Sequence, residues 1–449
     1  MDLDDVKERG RYVVTVVGCG RMGLPTACLF ADAGFRVFCL DKDVHLVSQI
    51  NNGVCPFEEP GLENLLKKNL GVGRIKATAD PKDAIPMSDF IVIAVNILID
   101  KNGRPDYSSL EESCRSIGLN IKRGALVIVE STLPPSTTDT VIKPFLESIS
   151  GLKAGVDFGL AYSPIRARVG RTIRDILSYP KIVAGIDKES LAVAKAFLGT
   201  IARGGVVEVE DIRTAEAVKL FENVYRYVNI ALANELARLC EKVGIDYLKA
   251  QEAANTQPYC HLLRPGLVGG HLPKDCSLLF SEAEELGVRL PIASAAQRVN
   301  EGVVKHACLL VKDALAACGK SLRRSKIAVL GVSFRANVKE ARGTLVPDLI
   351  DLLNRRGANV VVFDPHYSFS ELRSMGYPAE RTFSRVIHGA DCLLIAVGHT
   401  RFKRLSLGKI GVSMRKPAAI VDLANILDLE MVKKEGFIYR GLGRGSVHA

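Results

Sequence analysis

No apolar run in this sequence is long enough to cross a bilayer. The most apolar stretch, Phe90 to Ile99, has ten residues and includes Asn96, whereas a membrane helix needs about 20. The start does not read as a secretion signal either: Met1-Asp2-Leu3-Asp4-Asp5 is acidic, and Tyr12 to Val17 is too short for an apolar signal core. The eleven cysteines form no CxxC pair. That spacing argues against a metal site, and the odd count argues against a disulfide framework, so reduced thiols in a cytoplasmic protein are expected. Long basic tracts are also missing. Lys and Arg number 60 against 50 Asp and Glu, a net charge of +10, but the cations come mostly singly or in short pairs such as Arg323-Arg324 and Lys433-Lys434. This pattern speaks against nucleic acid and suits a small phosphorylated ligand.

What is present describes a globular chain. The 449 residues suggest two or three domains, and 47% hydrophobic with 24% charged residues excludes disorder as the main state. Tyr12 to Val17 reads as a buried strand, Leu24 to Ala33 as a helix and Arg36 to Leu40 as a second strand. Further strands are expected at Phe90–Val95, Ala125–Val129, Gly159–Tyr162 and Ile182–Ala184, with helical segments between them. Such alternation predicts a parallel sheet covered on both faces. Thr214 to Val243 lacks proline and glycine and keeps a helical period, and helical periodicity returns from Pro291 to Cys318. A second strand–helix unit follows, with strands at Lys326–Leu330, Val360–Phe363, Leu393–Val397 and Ala418–Asp422, and a helix at Leu345–Arg356. It lacks the glycine fingerprint of the first unit, so it should bind something smaller than a dinucleotide, or nothing.

That fingerprint is Gly18-Cys19-Gly20-Arg21-Met22-Gly23, between a strand and a helix, with Asp41 18 residues beyond Gly23. Glycines there let the backbone approach a pyrophosphate at a helix N-terminus, and Asp41 can accept from a ribose 2′-hydroxyl, which favours NAD over NADP. Lys219 and Asn223 stand four apart on the long helix and share a face. Lys219 lies among Val218, Leu220 and Phe221; a cation with an amide one turn away could hold a developing alkoxide.

The glycine-rich segment Pro265 to Cys276 and the charged tract Phe334 to Arg342 complete an ordered set of motifs. With Glu59-Pro60-Gly61-Leu62, Glu130-Ser131-Thr132-Leu133-Pro134-Pro135 and Ala217 to Asn223, they make the chain resemble the UDP-glucose/GDP-mannose dehydrogenase family over nearly its whole length. His271 after two glycines resembles the UDP-N-acetylhexosamine (UDP-N-acetylmannosamine or UDP-N-acetylglucosamine) 6-dehydrogenase branch. The resemblance implies an α/β fold: two Rossmann-like parallel-sheet domains joined by a long central helix and a helical dimerisation region. The expected spans are 1–205 for NAD, 206–320 for the helical region and 321–449 for the UDP-sugar. It implies a likeness of Lys219, Asn223, Asp275 and Thr132 to catalytic positions. Gly18, Gly20, Arg21, Met22, Gly23, Asp41, Val95 and Thr132 would meet the cofactor, and His271, Phe334 and Arg342 the substrate. A homodimer or larger homo-oligomer is implied, with no metal and no membrane partner.

Two departures fall on one half of the family's reaction, which oxidises an alcohol to an aldehyde and then, through a cysteine thioester, to an acid. The family loop carries a cysteine after its glycines and His. Here Gly269-Gly270-His271 runs directly into Leu272-Pro273-Lys274-Asp275, one residue short. The family's Ser-Pro-Glu is Ser163-Pro164-Ile165. A third change puts Val95-Asn96-Ile97-Leu98 beside the nicotinamide end. Three readings stay open. The first is an oxidoreductase stopping after one hydride transfer, or returning the hydride as an epimerase would. The second is a four-electron dehydrogenase whose thiol has moved to Cys276, at the start of a helix, or less readily to Cys260. The third is a noncatalytic nucleotide-sugar-binding relative.

Overall fold

Runs of valine, isoleucine and leucine, buried from end to end, build the centre of both halves of this protein. The computed structural model describes residues 3, 5–100 and 103–444; Met1, Asp2 and Asp4 of the acidic start lie outside them. The chain forms two compact units, one of Met1–Asn223 with Lys274–Arg289, the other of Val224–Pro273 with Leu290–Ala449.

The main sheet of the first unit has eight strands, apart from a short antiparallel pair of Leu98–Ile99 with Pro105–Asp106: β1 Val13–Val17, β2 Arg36–Leu40, β3 Ile75–Thr78, β4 Phe90–Ile93, β5 Leu126–Val129, β6 Gly159–Tyr162, β7 Lys181–Gly185 and β8 Val206–Glu208. Their order across the sheet is β8-β7-β6-β5-β4-β1-β2-β3. β1, β4 and β5 are buried along their whole length, as strands covered by helices on both faces must be. Every pair is parallel except β6 with β7. That reversal places Lys181, at the start of β7, beside the C-terminal end of β6. On one face Phe197 stacks on Phe30 at 4.2 Å and on Phe90 at 4.1 Å. The other face is closed partly by Ile212, Ala215 and Leu220.

The second unit holds β9 Lys326–Leu330, β10 Asn359–Phe363, β11 Cys392–Ile395, β12 Ala419–Asp422 and β13 Ile438–Gly441. The sheet runs β10-β9-β11-β12-β13, all parallel. The Pro291–Ala317 helix and the Val346–Arg355 helix supply apolar faces to its core.

The long helix is Ile212–Val243, 32 residues, about 48 Å at 1.5 Å per residue. It begins two residues before the start expected from periodicity. Among the described residues no helix is long and apolar enough to cross a membrane, none of the described residues forms a group suited to a metal ion, and all eleven cysteines are free thiols.

Candidate active site

In the first unit the glycine loop leaves β1 and enters the Gly23–Asp32 helix. Gly18 has φ +88°, and a Cβ there would lie 2.9 Å from Val95 Cγ1. A Cβ on Gly23 would sit 1.8 Å from Gly18 O, whereas one on Gly20 would meet nothing within 4 Å. Two glycines are thus required by the turn itself, and the third leaves open backbone where a pyrophosphate can approach. Met22 is the residue before that helix, and the Arg21 guanidinium lies 5.3 Å from the Phe57 ring centre. Asp41 follows β2 and is only half-buried. Its Oδ2 accepts from Cys19 N at 2.7 Å and its Oδ1 from Asp43 N at 3.1 Å. The carboxylate is therefore fixed against the loop with lone pairs left for a ribose diol. This cradle fits NAD, which when bound supplies the hydride acceptor.

Thr132 lies in the loop after β5. Its neighbour Ser131 donates from Oγ to Val95 O at 2.7 Å, and the Tyr162 hydroxyl donates to Ser131 O at 2.9 Å. The segment from Val95 is held a second time by Lys274, which donates to Ile97 O at 3.0 Å.

Lys219, Asn223 and Asp275 are buried, at 8%, 5% and 1% exposure. Asn223 Nδ2 donates to Asp275 Oδ2 at 2.6 Å. Asp275 Oδ1 accepts no hydrogen bond from the described residues but pairs with the Lys274 ammonium at 3.3 Å. The first unit therefore brings together a buried cation and amide on one helix face and a carboxylate from the returning segment. In such a dry environment each charge acts more strongly than in water.

Sequence reasoning passed over Glu216, one turn before Lys219. Its Oε1 accepts from Thr138 N at 2.8 Å and Thr138 Oγ1 at 2.6 Å, tying the segment after Thr132 to the long helix. Burial pushes this carboxyl up to about 7, against the hydrogen bonds it accepts. It also passed over the fully buried ion pair of Lys181 with Glu130. Spacing alone could not signal either one, since the partners are 78 and 51 residues apart.

The positions expected for the acid-forming half look different. Ile165 is 8% exposed and belongs to the apolar cluster on the nucleotide-loop face of the sheet. Cys276 is not at a helix start: the helix is His271–Glu285, so the cysteine is its sixth residue. Its thiol is buried, and burial, with Asp275 adding to it, pushes it up to about 12. Cys260 belongs to the second unit, where its thiol faces Asn255 Oδ1 at 3.7 Å.

In the second unit Phe334 and Arg342 lie on one loop after β9. Phe334 N donates to Glu340 O at 2.9 Å, and Glu340 grips Arg342 through Nε at 3.0 Å and Nη2 at 2.7 Å. The arginine side chain stays 81% exposed, an oriented fork for a phosphate or sugar oxygen. A Cβ on Gly269 would lie 2.3 Å from Gly343 O, and one on Gly270 3.0 Å from the Phe334 ring. The stretch leading to His271 is thus packed backbone to backbone on that loop.

Comparison with known proteins matches three consecutive segments to one family. Residues 12–199 match the NAD binding domain of the UDP-glucose/GDP-mannose dehydrogenase family, residues 213–302 its central domain and residues 328–429 its UDP binding domain. The UDP-N-acetyl-D-mannosamine dehydrogenase of Pyrococcus horikoshii is 35% identical over 97% of this chain and 100% of its own length. The solved UDP-D-ManNAc dehydrogenase structure from that organism superposes with a TM-score of 0.89, at 34% identity over 97% of this chain and 100% of the other. An NDP-N-acetyl-D-galactosaminuronic acid dehydrogenase structure from Methanosarcina mazei gives 0.82, at 32% identity over 99% and 98%. Three family segments matched in order, on a chain whose glycine loop fits a dinucleotide, mean that this protein belongs to the UDP-glucose/GDP-mannose dehydrogenase family and is an NAD-dependent oxidoreductase of the UDP-sugar dehydrogenase type, acting on CH–OH groups.

Proposed function

We propose that this enzyme oxidises a UDP-N-acetylhexosamine at a single alcohol carbon and forms no thioester. The observation that carries this reading is the buried Lys219, Asn223 and Asp275 cluster with no competent thiol beside it. Lys219 and Asn223 hold the substrate oxygen as negative charge develops on it. The hydroxyl proton needs an acceptor, and Asp275 Oδ1, which accepts no hydrogen bond from the described residues, is the buried base of the cluster. Ile165 cannot help hydrolyse an ester, and a carboxylate placed there would have to be buried in an apolar cluster. The relatives named above support the N-acetylhexosamine, as does His271. The deciding measurement is NADH yield per sugar nucleotide.

The half-buried Asp41 supports a preference for NAD over NADP, because a 2′-phosphate would face its carboxylate. Asp41→Ala should weaken NAD by about tenfold, the worth of a hydrogen bond to a charged group, and narrow the preference. Fluorescence titration of both cofactors tests this; wild type binding the two equally would overturn it.

The same reading includes a homodimer built on the long helix. Phe221, Tyr225, Leu232 and Leu239 are 60%, 59%, 44% and 59% exposed, and their spacings of four, seven and seven keep them on one stripe. A second copy is the self-complementary cover for such a stripe. Light scattering at micromolar concentration should give twice the chain mass, and Leu232→Asp with Leu239→Asp should give a monomer. A monomeric wild type would sink the proposal.

A further inference from the structure

The start of the second sheet repeats the geometry of the cofactor loop, and one buried histidine alters its use. In the first unit Gly18 has φ +88°, Gly18 N donates to Leu40 O at 2.9 Å, and Cys19 N and Asp43 N donate to the two oxygens of Asp41. In the second, Gly331 has φ +91° and donates to Phe363 O at 2.8 Å. Val332 N donates to Asp364 Oδ2 at 2.8 Å and His366 N to Asp364 Oδ1 at 2.9 Å. Asp364 thus stands where an acid in the first unit meets ribose. Asp41 is half-buried, however, whereas Asp364 is 1% exposed and its Oδ2 also meets His399 Nε2 at 3.1 Å.

His399 is fully buried, and both ring nitrogens are committed. Nδ1 accepts from Asn337 N at 2.9 Å, so the ring proton sits on Nε2 and points at Asp364. Asn337 holds φ +59°, a left-handed conformation that costs energy for a residue with a Cβ. Its side chain clamps Thr400, donating from Nδ2 to Oγ1 at 2.7 Å and accepting from Thr400 N at 2.8 Å. Asn337 lies between Phe334 and Arg342, inside the turn closed by Phe334 N and Glu340 O.

We propose that His399 is the positioning residue for the sugar-nucleotide loop of this unit. By taking the strand-end carboxylate, it closes the second sheet to a dinucleotide ribose and uses that carboxylate to hold Asn337, and through it Phe334 and Arg342. The inference rests on the reading that these two residues meet the sugar nucleotide. It separates two kinds of binding within one chain, since His399 bears on the UDP end and not on NAD.

The test uses the full-length protein with UDP and NAD as calorimetric probes. His399→Phe keeps the volume and removes both hydrogen bonds; UDP affinity should fall about tenfold, with NAD affinity unchanged. His399→Gln, which can accept and donate in similar places, should recover most of the loss. Thr400→Val, which removes one of the two hydrogen bonds on the Asn337 side chain and leaves Asp364 untouched, should also weaken UDP alone. With turnover substrate the variants should raise KM for the sugar nucleotide more than they lower kcat. UDP binding unchanged in His399→Phe, or UDP and NAD falling together in every variant, would overturn the proposal. If His399→Phe does not fold, His399→Gln and Thr400→Val decide it by the same measure. A wild type that binds no UDP would overturn the underlying reading of the loop, and the inference with it.

Discussion

Replacing Lys219 by alanine should lower kcat by about 10²–10³, the usual loss when one charge-stabilising donor is removed from a water-excluded site, while NAD affinity stays unchanged. Lys219 is 8% exposed on a helix face that also carries Asn223, and Asn223 is anchored by Asp275 at 2.6 Å. Without the cation, the amide alone must hold the alkoxide. Arginine should not rescue, because a planar fork cannot take the place of a compact ammonium in a packed site. Lys219→Met, which preserves most of the apolar stem, separates charge from packing. If it turns over like wild type under saturating substrate, the electrostatic role assigned to Lys219 is wrong.

The second large effect is one of stoichiometry. A four-electron oxidation yields two NADH per sugar and passes through a thioester; a single alcohol oxidation yields one, and an epimerisation none net. We expect at most one NADH per limiting UDP-N-acetylhexosamine and no uronic acid by mass. Cys276→Ser should keep most activity, since a thiol pushed up to about 12 by burial supplies almost no thiolate at neutral pH. Two NADH per sugar, together with loss of activity in Cys276→Ser, would show that the thiol moved along the chain. No turnover with any UDP-sugar, despite intact NAD binding, would favour a noncatalytic binding role.

The alternation of strands and helices was legible because the central strands are unbroken aliphatic runs, as in Val13–Val17 and Phe90–Ile93. Phe90–Val95 was read two residues too long, since valine and alanine continue past the point where the backbone leaves the sheet. Ile75–Thr78, Val206–Glu208 and Ile438–Gly441 went unread: each carries polar residues, two lie at opposite sheet edges, and all are short. The antiparallel β7 could not be foreseen, because strand direction is decided by where the connecting chain returns, not by the strand's own residues. In the candidate site, the glycine loop was legible from local spacing. Glu216 and His399 were not: each gets its environment from a segment more than 30 residues away, and a lone Glu or His carries no pattern.

The order in which the chain is made has a consequence for how it can fold. Asn223 and Asp275 are 52 positions apart, and the segment Lys274–Arg289 belongs to the first unit although 50 residues of the second precede it. During synthesis the N-terminal sheet therefore emerges without Asp275 and without Leu278, a fully buried member of its core. Until about two thirds of the protein has left the ribosome, the Asn223 amide lacks its acceptor and an apolar face stays open to water. The cluster assigned to catalysis is thus also the last closure of the first unit, and a nascent chain can bear the glycine loop well before it can bear a complete site.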